Sequence, residues 1–210
     1  MVDMWTTIAA ERGALADDLS GLRDDQWATP SLCEAWNVEQ VLAHMTSTAQ
    51  MTPPKFFAGF MVSGFNFPKF AEDGISTHLG ATPADTLERW RQQQGSKKSP
   101  PGPKVTWLGE TLIHSEDIRR PLGIAHDYPL DAVTQVLDFY KNSDTLIRAK
   151  SRIAGLSLQA TDTDWAHGTG PLVEGPAMSL LMAATGRKAA LDDLSGDGVK
   201  VFRQHWAKPE

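Results

Sequence analysis

Glu110, His114 and Asp117 stand four and three residues apart in the stretch GETLIHSEDIRR. On a helix turning about 100° per residue, the three fall within one narrow sector, opposite Val105, Leu108 and Leu112. A carboxylate and an imidazole one turn apart can reach a common ion, and zinc takes such donors at about 2.0–2.2 Å. Two ligands are too few, so a third must come from another element. His44, in VLAHM, borders an apolar stripe of Val38, Val41, Leu42 and Met45. A helix packed through that stripe carries His44 along the bundle seam. Three protein ligands with an open position describe a catalytic centre, whereas four describe a structural one. Asp117, one turn beyond His114, suits an outer-sphere role on an imidazole N–H, and equally a pairing with Arg119 or Arg120. The plainer reading of the same residues is a core histidine and a solvated Glu–His pair. No pattern sets a histidine or an acid beside Cys33, which reads as a small buried thiol. His78, His126, His167 and His205 fall in loop or terminal contexts and read as surface residues.

The elements that must position this row are mostly helices. The spacing of Ile8, Leu15, Leu19 and Leu22 predicts a first helix over 3–22. After DDQWATPSLCEAW, Asn37 and Gln40 form a capping-box pattern, with Trp36 and Val41 at the staple positions, opening the helix that bears His44. Pro53–Pro54 should break or kink it. The aromatic, Gly-punctuated segment KFFAGFMVSGFNFPKF suggests a short helix and a lid-like loop. Thr82, Pro83 and Asp85 start a helix running to about Gln94. GSKKSPPGP is a loop. The row-bearing helix spans about 104–122, with Gly123 at its C′ position, and a further helix covers roughly 129–150. Near 153 the pattern changes. GLSLQATD alternates as a strand, and DWAHGTGPLVEG suggests a second strand or hairpin. PAMSLLMAATGR then forms an apolar helix, and the last segment a short one. The expected fold is α+β and mostly α: a metal-binding helical bundle over 1–150 and a small α+β domain over 151–210.

Composition narrows the function classes. The chain has 210 residues and a formal net charge of −6, without the basic field that nucleic acid demands. No apolar run is long enough to cross a bilayer. The N-terminal segment is amphipathic and charged, unlike a signal peptide. A single cysteine excludes an internal disulfide, and the expectation is a cytoplasmic protein. Seven tryptophans are many for this length, and several should line a core or pocket.

SLCEAWNVEQVLAHM resembles a segment of the mycothiol-dependent maleylpyruvate isomerase-like proteins, within the DinB-like superfamily: S-x-C-x-x-W-x-V-x-x-V-L-A-H-L. GETLIHSEDIRRPLG is similar to their E-x-x-x-H-x-x-D-I-x-x-x-L-G segment. LSLQATDTDWAHGTGPLVEGPAMSLLMAATGR resembles their C-terminal domain. The resemblance spans nearly the whole chain in the right order. It implies an up-and-down four-helix bundle with a divalent ion, usually zinc, held by His44, Glu110 and His114. It also implies mycothiol, a low-molecular-weight thiol of actinobacteria, as cofactor. A divalent cation holds a coordinated thiol as thiolate at neutral pH. The thiolate can then add to a small electrophile, either for transfer or for cis–trans isomerisation through a transiently single bond. Arg203 is the candidate to hold an anionic substrate. Imidazole and carboxylate donors suit nickel, cobalt or iron as well as zinc. Two alternatives stay open: a hydrolase using metal-activated water, and a non-enzymatic metal-containing binding protein. Residues 52–80 match nothing in the family; they and the C-terminal unit are the expected seat of substrate selection.

Overall fold

A computed structural model describes residues 3–145 and 147–205 of the chain. It separates into two compact units, Met1–His126 and Asp127–Glu210.

In the first unit, local signals decide most helix starts. α1 is Met4–Leu19 and α2 is Asp24–Trp27. α3, Val38–Gln50, opens on the reciprocal Asn37–Gln40 capping box, with both bonds at 2.9 Å. α6, Pro83–Arg91, opens on the corresponding Thr82–Asp85 box with Pro83 in its first turn. α7 is Lys104–Leu122. Gly123 ends it in the left-handed conformation (φ 68°), and Ile124 N–H reaches back to the Arg119 carbonyl at 3.0 Å. The four helices form a ring in which α1 packs on α7, α7 on α3, α3 on α6, and α6 on α1. Their shared core includes Leu15, Leu19, Leu42, Met45, Trp90 and Ile118, all with at most 1% exposure. Charged pairs tie α1 to α7 and to the segment after it: Arg119 Nε donates to Asp18 Oδ2 at 2.7 Å, and Glu11 Oε2 lies 2.8 Å from His126 Nε2.

Residues 52–80 form two helices rather than one helix and a loop: α4, Pro53–Val62, and α5, Phe67–His78. Pro53–Pro54 begin α4, since a proline at the first helical positions forfeits only donors that would have no helical partner. α4 buries no residue, and Phe56 and Phe60 pack against Phe67 and Phe70. α5 docks closely on α3; a Cβ at Gly74 would stand 2.7 Å from Ser47 Oγ.

The second unit contains α8, Leu130–Tyr140, and α9, Ala149–Arg152. One helix over 129–150 was expected. It stops because Asp144 accepts bonds from Ser151 N and Oγ, at 2.8 and 2.7 Å, and Arg148 turns left-handed at φ 53°. β1, Ser157–Ala160, is the centre of a three-stranded sheet. It pairs antiparallel with β2, Ala166–Gly168, and parallel with β3, Leu172–Gly175. α10, Ala177–Ala184, a 3₁₀ turn at Lys188–Asp193 and α11, Gly198–His205, complete the unit. By compactness the division falls at His126/Asp127, not near 150. α8 packs on α10, so it belongs with the sheet. The change of pattern near 150 marks where helix gives way to strand.

Candidate metal centre

α3 and α7 meet in antiparallel register around the polar row. His44 and His114 lie edge to face, with ring centroids 5.2 Å apart at 81°. One turn further along α3, Thr48 Oγ1 donates to Glu110 Oε1 at 2.5 Å. One donor atom from each of His44, Glu110 and His114 lies within 4.8 Å of the other two. A nitrogen–nitrogen–oxygen set gathered this closely fits a divalent ion, since modest closure brings each donor to bonding distance. His114 Nδ1 lies 2.8 Å from Asp117 Oδ2. Donation there commits Nδ1 to the acid and leaves Nε2 as the nitrogen for an ion.

Cys33 corrects the sequence reading. Its Sγ lies 3.0 Å from Asp117 Oδ2 and 3.5 Å from His114 Nδ1. The thiol therefore has both a histidine and an acid beside it, brought from 81 and 84 residues away. Cys33, His114 and Asp117 form a second cluster of potential donors. It shares His114 with the first, and its three atoms are already engaged with one another. Trp36, from the same loop, covers the other imidazole at 4.8 Å from the His44 ring. Sequence reasoning also missed Thr48, although its place four residues after His44 is the signal that puts it on the same face.

The electrostatics sort the donors. Burial, and then the neighbouring His114, push His44 down to about 3, so it is neutral and offers a lone pair. Burial would also lower His114, but Cys33 and Asp117 outweigh it and raise the ring to about 10. Burial raises Glu110, opposed by His114, Thr48 and Arg12. Arg12 is itself nearly buried; it donates through Nη1 to the carbonyls of Gln93 and Ser96 and lies over the Trp90 ring.

The remaining candidates lie elsewhere. Arg119 pairs with Asp18, and Arg120 Nε donates to Glu116 at 2.9 Å. Asp117 Oδ2 faces His114 and Cys33. Arg203 belongs to the second unit, where Nη2 donates to Asp192 Oδ1 at 2.6 Å. His78, His126 and His205 are half-buried rather than free surface groups, contacting the Gly74 carbonyl, Glu11 and the Arg152 carbonyl. Among the described tryptophans, Trp27, Trp90 and Trp165 are core residues; Trp206 lies outside the described residues.

Residues 8–96 match the family model described as the mycothiol maleylpyruvate isomerase N-terminal domain. The match includes Cys33 and His44 and ends before Glu110 and His114. Two solved structures share the fold: the mycothiol-dependent maleylpyruvate isomerase and a mutant of it. Their TM-scores are 0.61 and 0.63, each at 14% identity over 93% of this chain and 92% of the other. No curated protein sequence matches the chain. Among the described residues, no helix is long and apolar enough to cross a membrane.

Proposed function

We propose that this protein is a divalent-metal- and mycothiol-dependent enzyme that isomerises a small unsaturated acid of the maleylpyruvate type, or transfers the thiol to a small electrophile. The observation that carries the reading is the convergence of His44, Glu110 and His114 within 4.8 Å. It occurs in a chain whose fold is similar to that of the mycothiol-dependent maleylpyruvate isomerase and whose residues 8–96 match the model of that family's N-terminal domain.

His44, Glu110 and His114 would hold the ion, zinc being the natural choice for this donor set. When bound, such an ion keeps a neighbouring thiol in its thiolate form at neutral pH. The protein's own residues supply the rest. His44 stays neutral because burial disfavours its cation. Asp117 holds the His114 ring in one tautomer. Thr48 fixes one oxygen of Glu110.

The test is turnover of maleylpyruvate and of generic electrophiles, with and without mycothiol. The expected result is thiol-dependent turnover that chelation abolishes and Glu110→Ala does not support. Activity with no dependence on thiol would refute the reading and favour water-based hydrolysis.

A further inference from the structure

The loop between α2 and α3 is fastened to α7 at a point where that helix lacks a donor. Pro121 lies inside α7. It has no N–H to give the Asp117 carbonyl four residues earlier. Leu32 N–H fills that place, donating to the Asp117 carbonyl at 3.1 Å. The bond sets the next residue, Cys33, against the Asp117 side chain. The turn around it is tight: Cys33 N–H donates to Ser31 Oγ at 3.0 Å, Ser31 Oγ donates to the Trp36 carbonyl at 2.7 Å, and Trp36 N–H donates to the Cys33 carbonyl at 2.8 Å. The loop thus touches both imidazoles, with Trp36 over His44 and Cys33 beside His114.

We propose that Cys33 is a positioning residue of the candidate metal centre: its S–H and the Nδ1–H of His114 share Asp117 Oδ2, fixing the ring with Nε2 toward His44 and Glu110. The inference rests on the metal reading given above. Asp117 is fully buried, and a buried carboxylate keeps its place through the donors that satisfy it. Removing the thiol takes one of those donors away and frees the acid to shift, and the His114 ring with it. Outer-sphere partners of this kind typically change metal affinity by about ten- to a hundred-fold. Serine preserves a donor at this position and alanine does not, so the two replacements separate hydrogen bonding from mere packing. Pro121→Ala restores a helical N–H that competes with Leu32 for the Asp117 carbonyl, loosening the loop without touching the site.

The experiment is a cobalt(II) titration of the full chain and of Cys33→Ser, Cys33→Ala, Pro121→Ala and His44→Ala. It is followed by ligand-field absorption, alongside ¹H–¹⁵N spectra of the histidine rings. The expected order of affinity places wild type and Cys33→Ser together. Pro121→Ala is weaker, and Cys33→Ala is weaker by about ten- to a hundred-fold. The His114 Nδ1–H signal is sharp in the first two and broadened in Cys33→Ala. Equal affinity and an unchanged His114 signal in Cys33→Ala would overturn the proposal. So would a thiolate-to-cobalt charge-transfer band in the wild type that Cys33→Ser loses, because Cys33 would then be a ligand. Should Cys33→Ala fail to fold, Pro121→Ala carries the same test: unchanged affinity and signal there overturn the proposal. If wild type takes up no cobalt, or His44→Ala binds as tightly as wild type, the metal reading itself fails and the proposal falls with it.

Discussion

At the scale of single residues, the centre combines a neutral donor, a charged imidazole and a half-buried carboxyl group. With His114 raised to about 10 and His44 lowered to about 3, the metal-free protein at neutral pH carries its proton on His114. Metal uptake must displace the Nε2 proton, so affinity rises with pH and falls as acid returns protons to the donors. Calorimetric titration in buffers of different ionisation enthalpy should show proton release on zinc binding at pH 7; buffer-independent heats would contradict this assignment. Thr48→Val keeps the shape of the side chain and removes the bond to Glu110. It should weaken zinc binding by about tenfold with little change in fold, read by competition with a chromophoric chelator. The nearness of His44, Glu110 and His114 was legible in the sequence because helical spacing and an apolar stripe fix which way each side chain faces. Their role as ligands is the proposal above. The surroundings of Cys33 were not legible. They depend on a loop bond that exists because Pro121, far along the chain, withholds a donor.

At the scale of elements, helix starts with side-chain caps were readable at Asn37 and Thr82, since a capping box is a local interaction. Asn37→Ala should cost about 1 kcal/mol and lower the melting temperature by roughly 2–4 °C, measured by circular dichroism. The same change should loosen the site, because α3 carries both His44 and Thr48. The end of α8 was not readable, since Asp144 captures Ser151 only after the chain has turned. Residues 55–70 read as one short helix and a lid-like loop because their glycines and prolines punctuate two helices, the second of which gains its packing from α3. Gly74→Val adds bulk where a Cβ would already crowd Ser47. It should push α5 off α3 and destabilise the fold by about 1–3 kcal/mol, visible as a lower denaturant midpoint.

At the scale of the whole molecule, the mostly helical α+β class followed from the switch of hydrophobic period, and the match to solved structures over 93% of the chain agrees with it. The compact units divide at His126 rather than near 150, because tertiary packing, not local pattern, assigns α8. A bound ion ties α3 to α7 and stabilises the native state by linkage, by about 2.7 kcal/mol when free metal is a hundredfold above Kd. Chelation should therefore lower the melting temperature by several degrees. The most direct measurement is the metal content of purified wild type, His44→Ala, Glu110→Ala and His114→Ala by elemental analysis. We predict a single equivalent in the wild type and substoichiometric metal in each variant. Equal metal in all four proteins would mean that these three side chains do not share an ion.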